Sequence, residues 1–204
     1  MKRLLLYVHF NKYNKISEHV YYQLEHMHPL FSKVIFISNS QLDEGEVGKL
    51  RQSQLIDAFI QRENIGYDFA AWHDGMAFEG FENLKAYDSV TAMNDTCFGP
   101  LWDMAPVYDK YESDEKVDFW GMTNHRAIDA GHIYIDEHLQ SYFMSFKKSI
   151  VISEVFQEFW KSVEAYTDVQ KVIDNYETKY TKRFVDAGFR YASVLNTVPI
   201  ADNF

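Results

Sequence analysis

The 204-residue chain predicts an α/β fold, a three-layer sandwich with a mostly parallel central sheet, on three observations. Short apolar runs such as 4–8 and 34–37 are continuous rather than alternating, as expected for strands covered on both faces. Segments with apolar residues at helical spacing follow these runs, the alternation that builds parallel sheets. Several runs end in short polar residues and glycine, which is how a strand releases the chain into a site at its carboxyl end. The length suits one domain spanning 1–204.

Residues 4–9 form the first predicted strand. Val20, Leu24, Met27 and Phe31 then recur at helical spacing behind an N-cap at Asn14 or Ser17, and Pro29 closes that helix. Residues 33–38 make a second strand, which ends in Asn39-Ser40. The acidic stretch 41–54 suits a surface helix or loop. A third strand, 55–60, runs into Arg62-Glu63-Asn64-Ile65-Gly66-Tyr67-Asp68, with Phe69, Trp72, His73 and Met76 marking a helix behind it. A fourth, 88–93, runs into Asn94-Asp95-Thr96-Cys97-Phe98-Gly99-Pro100, and Pro100 opens an aromatic helix carrying Trp102, Val107, Tyr108 and Tyr111. Residues 117–122 fit a fifth strand. Over 132–135 and 140–146, strand and short helix stay equally open. Helical spacing returns from Ser153 and again from Val169 to Phe184, with Gly188 as C′ residue. Residues 190–194 read as a last strand before a short tail.

Thirty acidic against twenty basic residues give a formal net charge of −10, which argues against nucleic acid as a partner because that binding draws on clustered Lys and Arg. No stretch approaches membrane-span length, and the opening apolar run is too short for a signal peptide. The single cysteine, Cys97, leaves no disulfide framework, fits a reducing cytosolic compartment, and is expected to be a small buried residue. Aromatics make up 17% of the chain, suited to packing and to stacking on sugars.

Three polar groups carry candidate chemistry. Asp95, beside Asn94 at a strand end, can hold a divalent cation, since hard cations take oxygen ligands; an Asx-turn explains the same residue. In the second group, Gly66 would let the backbone approach a ligand, and Asp68, near Asn64, can accept from a hydroxyl or cap the helix it starts. In the third, Asp174 and Glu177 are either a general base or ordinary helix surface. His125, His132 and His138 match no zinc spacing, and His19, His26 and His28 read as a solvated helix face.

These residues also carry a resemblance. Arg62 to Trp72, Asn94-Asp95-Thr96 with Gly99-Pro100, Asp118-Phe119-Trp120-Gly121 and His138-Leu139-Gln140-Ser141-Tyr142-Phe143 resemble the rhamnan synthesis protein F family of bacterial cell-wall and O-antigen polysaccharide clusters. Val8-His9-Phe10-Asn11 and Ile37-Ser38-Asn39-Ser40 add to it, so that it covers nearly the whole chain. The order is also similar to inverting glycosyltransferases of the GT-A fold. That likeness implies Asn39, Asn64, Gly66, Asp68 and Asn94 in nucleotide-sugar binding, Asp95 on a divalent cation (Mn2+ or Mg2+), and Glu177 or Asp174 as base. It further implies Trp120, His138 and Gln140 at the acceptor. The usual metal motif has two carboxylates where Asn94-Asp95-Thr96 has one, and family members are often longer than this chain.

The implied function is an inverting rhamnosyltransferase using dTDP-rhamnose. Its acceptor would be a lipid-linked glycan, its place the cytoplasm at the inner face of the plasma membrane, its neighbours other polysaccharide-assembly enzymes. The competing expectation is a non-catalytic glycan-binding or assembly module with the same fold.

Overall fold

A computed structural model describes residues 1–132 and 134–198. Its strands are β1 (Arg3–His9), β2 (Lys33–Ser38), β3 (Ala58–Gln61), β4 (Ser89–Asn94), β5 (Phe119–His125), β6 (Ile128–Asp129), β7 (Tyr134–Ile135), β8 (His138–Leu139), β9 (Phe143–Lys147) and β10 (Tyr191–Leu195). The main sheet has eight strands in the order β10-β5-β9-β4-β1-β2-β3, with β8 on β5, while β6 and β7 pair separately. β1 pairs in parallel with β2 and β4, as do β2 with β3 and β5 with β10. β9 runs antiparallel between β4 and β5.

The helices are α1 (Glu18–Met27), α2 (Glu44–Gln52), α3 (Tyr67–Glu79), α4 (Ala105–Ser113), α5 (Lys148–Val151), α6 (Glu154–Lys161), α7 (Val169–Val172) and α8 (Tyr180–Asp186), with a π-helical turn at Ile173–Glu177. Because side chains alternate along a strand, β1 feeds two cores. Leu4, Leu6 and Val8 pack with residues of α3, α6 and α8, whereas Leu5 and Tyr7 pack with residues of α1, α2 and α4. This is the expected three-layer sandwich. Most of the aromatic content is core: Phe69 stacks on Trp160 with ring centroids 5.8 Å apart, inside a cluster that includes Phe146, Phe156 and Phe184.

Local signals place some of the helix starts. Asp43 accepts from the Glu46 N–H at 2.9 Å to cap α2, which turns the open stretch 41–54 into a helix. Ser153 caps α6 by accepting from Phe156 N–H. Ser17 is the N-cap of α1 by backbone shape alone, its hydroxyl taken by the Asn11 amide at 3.1 Å. Gly188 follows α8 at φ +94°.

Other expectations are corrected. The helix expected at Pro100 begins at Ala105, with Pro106 in its first turn, and 98–104 is irregular. β3 starts later than expected, because Asp57 turns back to accept from Val34 N–H at 2.7 Å. The open region 132–146 is strand in β7, β8 and β9; Ile133 within it, and the tail beyond Val198, lie outside the described residues. Cys97 is exposed rather than buried.

At the amino ends of β1 and β4 sits a buried ion pair. Arg3 Nε donates to both Glu112 carboxylate oxygens at 3.0 Å, and Ser89 Oγ donates to the same carboxylate at 2.7 Å.

Candidate active site

The carboxyl ends of β1 and β4 meet at one rim, where a cleft of ≈ 440 Å³ opens. Asn64, Asp68, Asp95, Ser141 and Glu177 line its polar side, and Phe69, Val172 and Ile173 form an apolar wall. Three carboxylates from sequence-distant segments therefore converge, as the sequence expectation requires.

Asp95 leaves β4 into the cleft. The local Asx-turn exists, but Asn94 makes it: its Oδ1 accepts from Thr96 N–H at 3.1 Å, and its Nδ2 donates to Asp68 at 2.7 Å. Asp95 accepts a long bond from Phe10 N–H, 3.3 Å, and its carboxylate lies 3.9 Å from His9 Nε2. Burial and the neighbouring Asp68 carboxylate push its pKa up to about 7. The Asp68 carboxyl is also raised, first by burial and then by Glu177, against the lowering effect of the Asn94 bond. The cleft thus holds a repelling acidic set, and no Lys or Arg among the described residues lines it.

Glu177 and Asp174 are separated by the structure. Thr178 N–H bonds Ile173 carbonyl at 3.1 Å, an i to i+5 step, and this π turn keeps Ile173 and Glu177 together on the cleft wall. Ser141 Oγ donates to Glu177 at 3.1 Å. Asp174 is exposed, accepts from Gln170 at 2.8 Å and does not line the cleft, so it is not positioned as the base.

Other expected residues are placed differently. Gly66, at φ +72°, makes its close approach to the protein's own chain: a Cβ there would lie 2.7 Å from Ala165 Cα, and its N–H bonds Tyr166 carbonyl. The helix cap expected of Asp68 falls to Gly66, with no side-chain bond. Asn39 is buried behind the cleft, accepting from Arg62, which also bonds Asp74 and Ile65 carbonyl and so ties β2 to the loop before α3. Trp120 is fully buried, stacked on Tyr111 in the second core, and is out of reach of an acceptor. His138 is buried with its Nδ1 on Asp136 carbonyl, and Gln140 accepts from Thr123; neither lines the cleft. Residues the sequence reading assigned no role do line it, among them Phe10, Asn11 and Ser141. His19, expected on a solvated face, lines it too and lies 3.2 Å from Asp95 carbonyl through Nε2.

Among the described residues no three His, Cys, Asp or Glu side chains form a cage for a metal ion. The donor set still fits a divalent cation shared with a ligand. Asp95 and Asp68 offer hard oxygen atoms at elevated pKa, a cation would relieve their repulsion, and phosphate oxygens and water would complete the coordination.

The α/β fold that delivers these acidic residues to one rim is similar to that of solved nucleotide-sugar transferases. The mannosyltransferase PcManGT from Pyrobaculum calidifontis, solved with GDP-Man and Mn2+, matches 93% of this chain and 54% of its own at TM-score 0.55 and 11% identity. A protein of Desulfovibrio desulfuricans described as a nucleotide-diphospho-sugar transferase matches 96% of this chain and 80% of its own at TM-score 0.50 and 12% identity. The family model of rhamnan synthesis protein F matches residues 34–204, and the chain belongs to that family. The uncharacterized protein y4gN of Sinorhizobium fredii is 30% identical over 181 residues, 88% of this chain, which spans 45% of that relative's length. No helix among the described residues is long and apolar enough to cross a membrane.

Proposed function

We propose that the protein transfers a sugar from a nucleoside diphosphate donor to an acceptor hydroxyl with inversion, the donor being dTDP-rhamnose. The acceptor would be a growing lipid-linked glycan at the inner face of the membrane. The observation that carries this reading is the convergence of Asp68, Asp95 and Glu177 on one cleft. Family membership and the fold support it. PcManGT, solved with GDP-Man and Mn2+, supports a cation-assisted form.

In this reading Glu177, held by Ser141, takes the proton of the acceptor hydroxyl as its oxygen attacks the anomeric carbon. The bond to the diphosphate breaks on the opposite face, and the bonding pair leaves with the diphosphate. Asp95, with Asp68 beside it, would hold a divalent cation, which would supply positive charge beside the leaving diphosphate. Asn94 fixes the Asp68 carboxylate, and Asn64 faces the donor from the loop before α3.

The test is calorimetry with dTDP-rhamnose with and without Mn2+, alongside an assay of dTDP release and glycan extension. Donor binding is expected to need the cation. Asp95→Ala should lose binding and turnover, and Glu177→Ala should lose turnover alone. Glycan binding with no turnover under any condition would replace the enzyme with a binding module.

A further inference from the structure

The loop that carries Asp95 into the cleft is not held by other backbone. Pairing along β4 stops at Asn94, and among the described residues no backbone-to-backbone hydrogen bond involves 95–103. Three carbonyls of this loop are nevertheless taken, all by side chains of one helix. His19 Nε2 donates to Asp95 carbonyl at 3.2 Å, Tyr22 hydroxyl to Pro100 carbonyl at 3.2 Å, and the Gln23 amide to Cys97 carbonyl. His19, Tyr22 and Gln23 stand at i, i+3 and i+4, so they share one face of α1.

The hold is anchored in the sheet. Gln23 is 2% exposed, and its amide oxygen accepts from the buried Tyr7 hydroxyl on β1. Val20, Leu24 and Met27 of the same helix sit in the second core, which sets how α1 lies against the strands. A buried amide that bridges a strand to a loop carbonyl is costly to desolvate, and it specifies the loop's position in a way an apolar side chain could not. His19 adds a ring contact on Phe98, with centroids 4.8 Å apart. The Asp95 carboxylate is itself held loosely, by the 3.3 Å bond from Phe10 N–H and the 3.9 Å approach to His9, so the backbone beneath it sets its place.

We propose that this face of α1 is the clamp that aims Asp95. His19, Tyr22 and Gln23 are positioning residues: they hold the loop by its carbonyls and so set where the carboxylate meets the cation of the donor. The inference rests on the transferase reading above, which gives Asp95 its cation. His19 lines the cleft, so direct contact with a ligand is the competing account of that residue; Tyr22 and Gln23 do not line it and act through the loop alone.

The test measures Mn2+ affinity in the presence of dTDP, read from the electron paramagnetic resonance signal of free Mn2+. A nitroxide on Cys97, the single cysteine and an exposed one, reports motion of the loop in the protein without ligand. Gln23→Met alone would leave the Tyr7 hydroxyl buried without its partner, so Tyr7→Phe/Gln23→Met removes both groups together. This double variant should weaken Mn2+ binding about tenfold and narrow the nitroxide spectrum toward fast motion. His19→Phe, which keeps a ring against Phe98, should do the same, and His19→Gln, which restores a donor, should return to within about twofold of the parent. Tyr22→Phe loses one partly exposed hydroxyl and should cost about twofold. Parent-like Mn2+ affinity in Tyr7→Phe/Gln23→Met, whatever its urea midpoint, overturns the clamp. Loss confined to His19→Phe also overturns it and makes His19 a ligand contact. A parent protein that binds no Mn2+ with dTDP removes the cation from the transferase reading, and the nitroxide then decides alone: a narrowed spectrum in both variants keeps the hold on the loop, and an unchanged one overturns it.

Discussion

The two ends of β1 and β4 treat carboxylates in opposite ways. At the amino ends, Glu112 is met by the Arg3 guanidinium and the Ser89 hydroxyl, so its charge is matched where it is buried. At the carboxyl ends, Asp68, Asp95 and Glu177 face one cleft that no Lys or Arg among the described residues lines. Both carboxylate groups lie on the same scaffold, with Glu112 buried and Asp68, Asp95 and Glu177 half-buried. A paired buried charge serves the fold, whereas an unmatched set raises the free energy of the empty site and marks a place built for something else to bind.

Substitution at each end breaks this contrast most directly. Asp95→Asn should cut sugar transfer about a thousandfold, about 4 kcal/mol of transition-state stabilisation, with folding intact by circular dichroism. Glu112→Ala should leave the half-buried Arg3 with the Leu30 carbonyl and a 4.0 Å approach to exposed Asp109 in place of its main partner, and cost about 1.5–3 kcal/mol in urea unfolding. Equal destabilisation by the two variants would make both ends structural.

A pH series sharpens the comparison. Asp95, at about 7 in the folded chain against an ordinary value near ~3.9, keeps its proton where the unfolded chain has released it. Its contribution to stability therefore falls, by up to about 4 kcal/mol, as pH rises between those values. His9 is buried under Phe36 at the end of β1 and its pKa is lowered by burial to about 4. From an unfolded value near ~6.5 its contribution falls, by up to about 3 kcal/mol, as pH drops. Between the two histidine values the slopes oppose each other, so the parent protein should show a shallow profile. Asp95→Asn should unmask stability that rises with pH, and His9→Gln stability that falls with pH. Urea midpoints that move in parallel in both variants would dismiss the opposition.

Smaller effects follow. Gly66→Ala should lose about 1–3 kcal/mol, because the added methyl meets Ala70 and Ala165 at a positive φ, and thermal unfolding measures it. Asp174→Asn should change turnover by less than about twofold, since its side chain faces solvent and acts on nothing in the cleft. A large loss there would reopen the choice of base against Glu177.

Much of the fold was legible because β1 and β2 are continuous apolar runs that end in polar residues, and a strand buried on both faces has few other spellings. The acidic cleft was legible for a related reason: Asp95 follows the end of β4 directly, and Asp68 opens the helix reached from β3 by a short loop. What stayed hidden depends on contacts distant in sequence. Gly66 answers to Ala165, roughly a hundred residues away, so its backbone freedom looked like room for a ligand. Trp120 looked like an acceptor platform, but the strand pleat turns its ring into a core shared with Tyr108 and Tyr111. Asp174 and Glu177 lie three residues apart, and only the π turn shows which one reaches the cleft. Phe10 and Asn11 carried a faint signal as the polar-aromatic exit of the first strand. His19 carried none beyond its place in the first turn of α1.

The reversed strand β9 has a consequence for how the protein can diversify. Its amino end, not its carboxyl end, abuts the rim: Asn94 N–H bonds Tyr142 carbonyl, and Ser141 just before it reaches Glu177. The chain entering β9 therefore arrives at the cleft on its own path, independent of the loops that leave β1, β3 and β4. In the transfer reaction proposed above, lengthening or rewriting that segment would present new surfaces to an acceptor while Asp68 and Asp95 stay in register, so one scaffold could be retuned on one side without changing the other.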